Sequence, residues 1–117
     1  MGGGDGLKVA IIGSRNLKVN DFSKFLPSDT TEIVSGGARG IDTCARKYAK
    51  SNGIKLTEFF PDYDTYGRIA PLIRNDMIID YADMVLGFWD GESNGTAYVI
   101  KKAKKKGVPF KLYKLKK

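Results

Sequence analysis

The sequence predicts an α/β domain with a five-stranded, mainly parallel sheet and helices on both of its faces. Three observations carry this. Short apolar runs of strand length alternate with segments of helical period. The runs are nearly continuous rather than alternating (Leu-Lys-Val-Ala-Ile-Ile at Leu7–Ile12), as suits strands covered on both faces. Glycine-rich turns stand directly after several of them, at the carboxyl ends of the strands, where sheets of this kind bind ligands.

Leu7–Ile12 is the first strand, and it ends in Gly13-Ser14-Arg15-Asn16. Asp21–Leu26 is expected to form a short helix stopped by Pro27. Thr31–Ser35, rich in β-branched residues, is the second strand. It runs into Gly36-Gly37-Ala38-Arg39-Gly40-Ile41-Asp42 and a helix over Arg39–Ser51, which Asn52-Gly53 closes. Ile54–Phe60 is a third strand ended by Pro61. Asp62–Arg68 has no clear period, carries Tyr63 and Tyr66, and reads as a long functional loop. A third helix covers Ala70–Tyr81, with Ala70, Ile73, Met77 and Tyr81 on one stripe. Met84–Phe88 is the fourth strand and opens onto Trp89 and Asp90-Gly91-Glu92-Ser93-Asn94-Gly95-Thr96. A fourth helix over Gly95–Lys106 is stopped by Gly107, with Pro109 beyond it, and Phe110–Tyr113 is the last strand. Such alternation calls for right-handed crossovers between parallel strands.

Composition narrows the function classes. A chain of 117 residues, 42% hydrophobic, supports a single domain, here residues 7–117 after a disordered tail over residues 1–6. No apolar run approaches the roughly 20 residues that span a bilayer. The glycine-rich start lacks the apolar region of a signal peptide, and the expected location is cytoplasmic. The lone cysteine, Cys44, has no partner for an internal disulfide and shares an apolar helix face with Ile41, Ala45, Tyr48 and Ala49. Histidine is absent, which removes Ser-His and Cys-His nucleophilic catalysis and His-ligated zinc. The net charge of +7 points to anionic partners. Lys101, Lys102, Lys104, Lys105 and Lys106 concentrate it late in the chain, without the interleaved aromatics of a base-stacking platform.

The glycine loops are the candidate site. Glycines at Gly36, Gly37 and Gly40 permit sharp turns and close approach to a ligand, and the helix that follows aims free N–H groups at the same place. Arg39 adds a planar fork for phosphate. Asp42, at the start of the helix, serves either the helix dipole or a ribose hydroxyl. Ser14 and Thr96 are either ligand donors or N-caps. Trp89, Tyr63 and Tyr66 either stack on a base or pack. Asp62 and Asp64 lack companion ligands for a cation.

Taken in order, these motifs resemble the SLOG superfamily, which groups the DNA-processing Smf/DprA proteins with the LOG phosphoribohydrolases, and within it the small stand-alone YspA-like, DUF2493-type domains. The resemblance runs from Lys8 to about Tyr113 and rests on Gly13-Ser14-Arg15, the Gly36–Asp42 loop, Arg74-Asn75 and Ser93-Asn94-Gly95-Thr96. It implies a Rossmann-like domain that binds a nucleotide or nucleotide-derived ligand such as ADP-ribose or an NAD fragment. Phosphates would lie between Gly36–Gly40 and Ser93–Thr96, with Arg15, Arg39 and Arg74 neutralising their charge. The wider set of contacts includes Gly13, Ser14, Ala38, Asp42, Asn75, Trp89, Asp90 and Gly91. No further cofactor is required on this reading, and the partners are a nucleotide-derived small molecule, a second copy of the chain and, weakly, nucleic acid through the late lysines. One departure bears on catalysis. The glutamate that phosphoribohydrolases carry three residues after the Gly-Thr pair is here Val99. The expectation therefore leans to binding, with hydrolysis through Asp42, Asp90 or Glu92, and DprA-like binding of single-stranded DNA, as alternatives.

Overall fold

The computed structural model describes residues 6–116. The expected tail therefore lies, apart from Gly6, outside the described residues. β1 (Leu7–Gly13) occupies the centre of the sheet, with Val9, Ala10 and Ile11 fully buried. β2 (Thr30–Ser35) pairs with one side of β1 and β4 (Met84–Trp89) with the other. β3 (Lys55–Glu58) extends the β2 side and β5 (Phe110–Lys114) the β4 side. The order is β3-β2-β1-β4-β5, and every pair is parallel. The α/β, Rossmann-like expectation holds. The order reverses at β1, so the carboxyl ends of β1 and β4 flank a natural crevice.

Side chains of β1 alternate between two cores, as the period of a strand requires. Val9 and Ile11 pack with α1 (Ile41–Ser51) and with Leu17 and Phe22 of the β1–β2 connection. Ala10 and Ile12 pack against α3 (Ala70–Tyr81) and α4 (Asn94–Lys106) through Ile78, Ile79, Val99 and Ala103. Among the described residues no helix is long and apolar enough to cross a membrane.

The local differences from the sequence reading have identifiable causes. Asp21–Leu26 is not a helix. Asp21 Oδ1 accepts from Ser23 N at 2.8 Å and the Phe22 carbonyl accepts from Phe25 N and Leu26 N at 2.9 and 3.1 Å, making hydrogen-bonded turns and no more. Between that side-chain bond and Pro27 there are too few residues to repay helix nucleation. The segment crosses between parallel strands by burying Leu17 and Phe22 instead.

Asp62–Arg68, in contrast, is more ordered than expected. It holds α2 (Tyr63–Tyr66), capped by Asp62, whose carboxylate accepts from Thr65 N at 3.1 Å and from Thr65 Oγ1 at 2.7 Å. A 3-10 turn over Gly67–Ile69 leads into α3. The face of α3 is also rotated from the expected stripe: Ala70, Asn75, Ile78 and Ile79 are buried, while Met77 is 45% exposed. Apolar residues lie nearly all round this helix, so periodicity alone could not choose its face.

Phe22 carries much of the first core. It is fully buried, with its ring edge-on to Tyr48 at 5.6 Å and to Phe88 at 5.4 Å between centroids. Phe22→Ala is expected to cost about 3–5 kcal/mol of stability. Urea unfolding would read this as a lower midpoint at unchanged slope. A loss under about 1 kcal/mol would mean that the connection is not an integral part of the core.

Candidate functional site

A cleft of about 650 Å³ opens at the carboxyl edge of the sheet. Its walls come from the end of β1, the β2–α1 loop, the first turns of α3 and the β4–α4 loop. These are the places where the strand order reverses, which is why residues far apart in sequence converge there.

The β4–α4 wall is held by its own hydrogen bonds. Asp90 Oδ1 accepts from the backbone of Glu92 and of Ser93, both at 2.8 Å. Asp90 N donates to Ser14 Oγ at 3.1 Å, which ties this loop to the end of β1. The indole Nε1 of Trp89 donates to the Ser93 carbonyl at 2.9 Å. Trp89 and Ser14 therefore shape the loop from behind; neither lines the cleft. The loop delivers the N-terminus of α4 to the cleft. Ser93 stands at the N-cap but its side chain makes no capping bond, and the first-turn N–H groups of Asn94, Gly95 and Thr96 have no acceptor within the helix. A Cβ built on Gly95 meets nothing within 4 Å, so this end of the helix faces open space.

On the opposite wall, Gly40 has φ 75°, and a Cβ there would stand 2.6 Å from Arg15 Cα and from the Ser14 carbonyl. A side chain at this point would drive the β1 and β2 loops apart. The left-handed φ also explains why α1 starts at Ile41 rather than at Arg39. Gly37 lies under the ring of Phe60, and Arg39 is exposed and does not line the cleft. Arg15 and Arg74 are thus the arginines that line it.

Arg74 is the most constrained of these groups. Its Nη1 donates to the Gly36 carbonyl, and its Nε donates to Asn75 Oδ1 at 2.8 Å. Gly36 is a glycine for this reason, because a Cβ would stand 2.8 Å from Nη1 and 3.0 Å from Asp42 Oδ2. Asp42, only 6% exposed, accepts from Ala38 N through Oδ2 at 3.1 Å, while Oδ1 has no hydrogen-bond partner. Burial pushes the Asp42 carboxyl up to about 6, against the opposing pull of the Ala38 N–H and the Arg74 charge. The Gly36 N–H adds a weaker pull without reaching hydrogen-bond geometry. Burial likewise lowers the Arg74 pKa, and the Asp42 carboxylate works against that.

Of the residues expected at the site, the cleft gathers Gly13, Arg15, Ala38, Asp42, Arg74, Asn75, Asp90, Ser93, Asn94, Gly95 and Thr96. Ser14, Gly36, Gly37, Arg39, Gly40, Trp89 and Gly91 stand outside its lining. Asn16, Pro71 and Leu72 line it without having been singled out. For Asn16 the signal was its place in the turn after β1; Pro71 and Leu72 read as ordinary helix-start residues. Val99, 2% exposed, puts an apolar side chain on the cleft floor where the phosphoribohydrolases carry glutamate. Among the described residues no group of acidic or cysteine side chains is arranged to hold a metal ion.

The family model for DNA recombination-mediator protein A matches residues 4–62, half of the 117-residue chain. That stretch holds the Gly36–Asp42 loop, whereas Arg74 and the β4–α4 loop lie beyond it. Gene 61 protein of Mycobacterium phage D29 is 35% identical over 83 residues, covering 66% of each chain. The crystal structure of DNA processing protein A (DprA) from Streptococcus pneumoniae superposes with a TM-score of 0.75 at 22% identity, over 95% of this chain and 51% of that one. The likeness at that identity is one of fold. The chain spans about half the length of the DprA structure and just under two-thirds of the phage protein.

Asp42 makes stability depend on pH. Its carboxyl binds the proton more tightly when folded than at the unfolded value of 3.8, so its stabilising contribution is complete below that value and is lost as pH rises through about 6. Chemical denaturation of the wild type and Asp42→Asn is expected to show the wild type losing on the order of 3 kcal/mol relative to the variant over that window. Parallel pH profiles would show that the carboxyl titrates normally.

Proposed function

Because the chain belongs to the DNA recombination-mediator protein A family, we propose that it uses this cleft to bind a nucleotide or nucleotide-derived ligand through its phosphate. The observation that supports this most directly is the N-terminus of α4, which opens into the cleft beside Arg15 and Arg74. Unsatisfied N–H groups and the positive end of the helix dipole favour an anion there. The arginines add charge-assisted donors. Gly95 leaves the approach to the helix end unobstructed.

A second reading is a single strand of DNA, in keeping with the names of the matched family and structure. Exposed Phe60 and Tyr63 (each 58%) and Tyr66 (40%), carried by the segment before α3, support it as faces for bases. The late lysines do not extend the cleft. Lys102 pairs with Asp76 and Lys106 with Asp80, and Lys104–Lys106 occupy the last turn of α4, about 12 Å along the helix from Thr96. There they complement the negative end of the helix.

Gly95→Leu tests the reading, since a Cβ at this position meets no protein atom within 4 Å, the added side chain would obstruct the helix end, and leucine is the better helix former. Thermal shift and titration calorimetry against AMP, ADP, ADP-ribose, NAD and a short single-stranded oligonucleotide are expected to give a melting-point rise with at least one nucleotide. Gly95→Leu should abolish that rise, and Arg15→Ala should weaken affinity by about 10- to 100-fold. Undiminished binding in Gly95→Leu would sink the assignment. A response to the oligonucleotide alone, fading steeply with salt, would favour the second reading.

A further inference from the structure

One stretch of the chain differs in composition from the rest. No lysine lies between Lys55 and Lys101, and the residues between them hold eight acidic side chains against Arg68 and Arg74. In a chain of net charge +7, this is the part that repels a like-charged neighbour least. The same stretch holds the exposed apolar side chains. Phe60, Tyr63, Tyr66, Ile69, Leu72 and Met77 all lie in it, and elsewhere among the described residues Leu112 is the one large apolar side chain of comparable exposure. The six leave on the order of 500 Å² of mainly apolar surface open, toward the top of the range for the largest patch on a monomer. α2 and the 3-10 turn after it bury none of their own residues, so packing within the monomer does not account for these rings. Ile69, at the N-cap of α3, and then Leu72 and Met77 extend the patch along that helix.

We propose that this face docks a second copy of the chain, related to the first by a twofold axis. Three observations favour that occupant. An apolar patch needs an apolar complement, and among the described residues the one of matching size is the same patch, so like is laid on like and the contact closes as a dimer. The residue types, phenylalanine, tyrosine, methionine and arginine without lysine, are those enriched in such contacts. Asp64 and Arg68 are both exposed, stand four residues apart, and take no ion-pair partner among the described residues. A twofold contact pairs Asp64 of each copy with the partner's Arg68, so one complementarity is used twice. With this polar rim the contact approaches the roughly 800 Å² per partner of a stable pair. A strand of DNA suits the face less well, because its phosphates would meet exposed Asp62 and Asp64 and no lysine. Leu72 belongs both to the patch and to the cleft lining, so the dimer contact runs up to the cleft wall. The inference stands apart from the phosphate reading, which rests on the N-terminus of α4.

Sedimentation of the full chain, from low micromolar to several hundred micromolar concentration, tests this. Wild type is expected to show a monomer–dimer equilibrium. Ile69→Lys should weaken it about 100-fold or more, since the substitution enters each dimer twice. Met77→Lys should act in the same direction, and serves if circular dichroism shows that Ile69→Lys does not fold. Asp64→Arg should weaken the dimer about 3- to 10-fold, and adding Arg68→Asp should restore it, because the exchanged pair still meets across the axis. A wild type that stays monomeric throughout overturns the inference. So does a dimer that survives both lysine substitutions, or one lost through Leu112→Lys instead, which would place the contact on the β5 edge. Exchange of Asp64 and Arg68 without recovery overturns the twofold arrangement. Mass that grows past the dimer with concentration would show an open, head-to-tail assembly and overturn it equally. A monomer whose binding of a single-stranded oligonucleotide is lost in Ile69→Lys would give the face to nucleic acid and sink the proposal.

Discussion

The guanidinium of Arg74 is the constraint on which the candidate site depends. It belongs to α3, yet it reaches across 38 residues of sequence to the Gly36 carbonyl and steadies the β2–α1 loop. Even a half-buried arginine is costly unless its charge and its donors are met. Here a backbone carbonyl, the Asn75 amide oxygen and the Asp42 charge share that work. Several other features follow from it. Glycine at Gly36 leaves the guanidinium and the carboxylate where they are, whereas a Cβ would force one of them to shift. The face of α3 has to turn so that Asn75 points inward, which leaves Met77 outside. Asp42 is drawn into a place where only part of its hydrogen-bonding capacity is used.

The facing wall is ordered by different means. Asp90 closes its own loop with backbone bonds, Ser14 links that loop to β1, and Trp89 clamps its far end. These bonds are local or reach a neighbouring strand, so this wall keeps its shape independently of the arginine network. A cleft with both walls fixed beforehand avoids much of the ordering cost of binding. The residues that make it rigid mostly sit behind the lining, which is why a strand-end serine and a tryptophan shape a site they do not enter.

Charge and apolar surface are divided between different parts of the molecule. The net charge of +7 gives a general attraction for anions, but three of the five lysines of α4, Lys104, Lys105 and Lys106, stand in its last turn, at the end of the helix away from the cleft. The exposed apolar side chains Phe60, Tyr63, Tyr66, Ile69 and Leu72 fall within one stretch of chain leading into α3. Of these Leu72 reaches the cleft itself, so this stretch joins the cleft wall to an apolar outer surface.

The architecture was legible in the sequence because it depends on patterns that are local and redundant. Continuous apolar strands, alternating helical periods and glycine turns at strand ends each point to a parallel sheet, and none depends on a single residue. Arg15, Asp42, Arg74 and the Ser93–Thr96 loop, which line the cleft, were also singled out in the sequence, since they stand at those strand ends or in recurring motifs. Other features had no local signature. The β1–β2 segment looked helical because its buried Phe22 answers to Tyr48 and Phe88, which are distant in sequence. The face of α3 was undecided because apolar residues surround it, and Arg39 looked as well placed as Arg74. Only the tertiary structure decided among these. Which arginine meets the cleft, and which carboxylate oxygen is left without a partner, depend on side chains from separate elements competing for one small volume, and that competition has no sequence period.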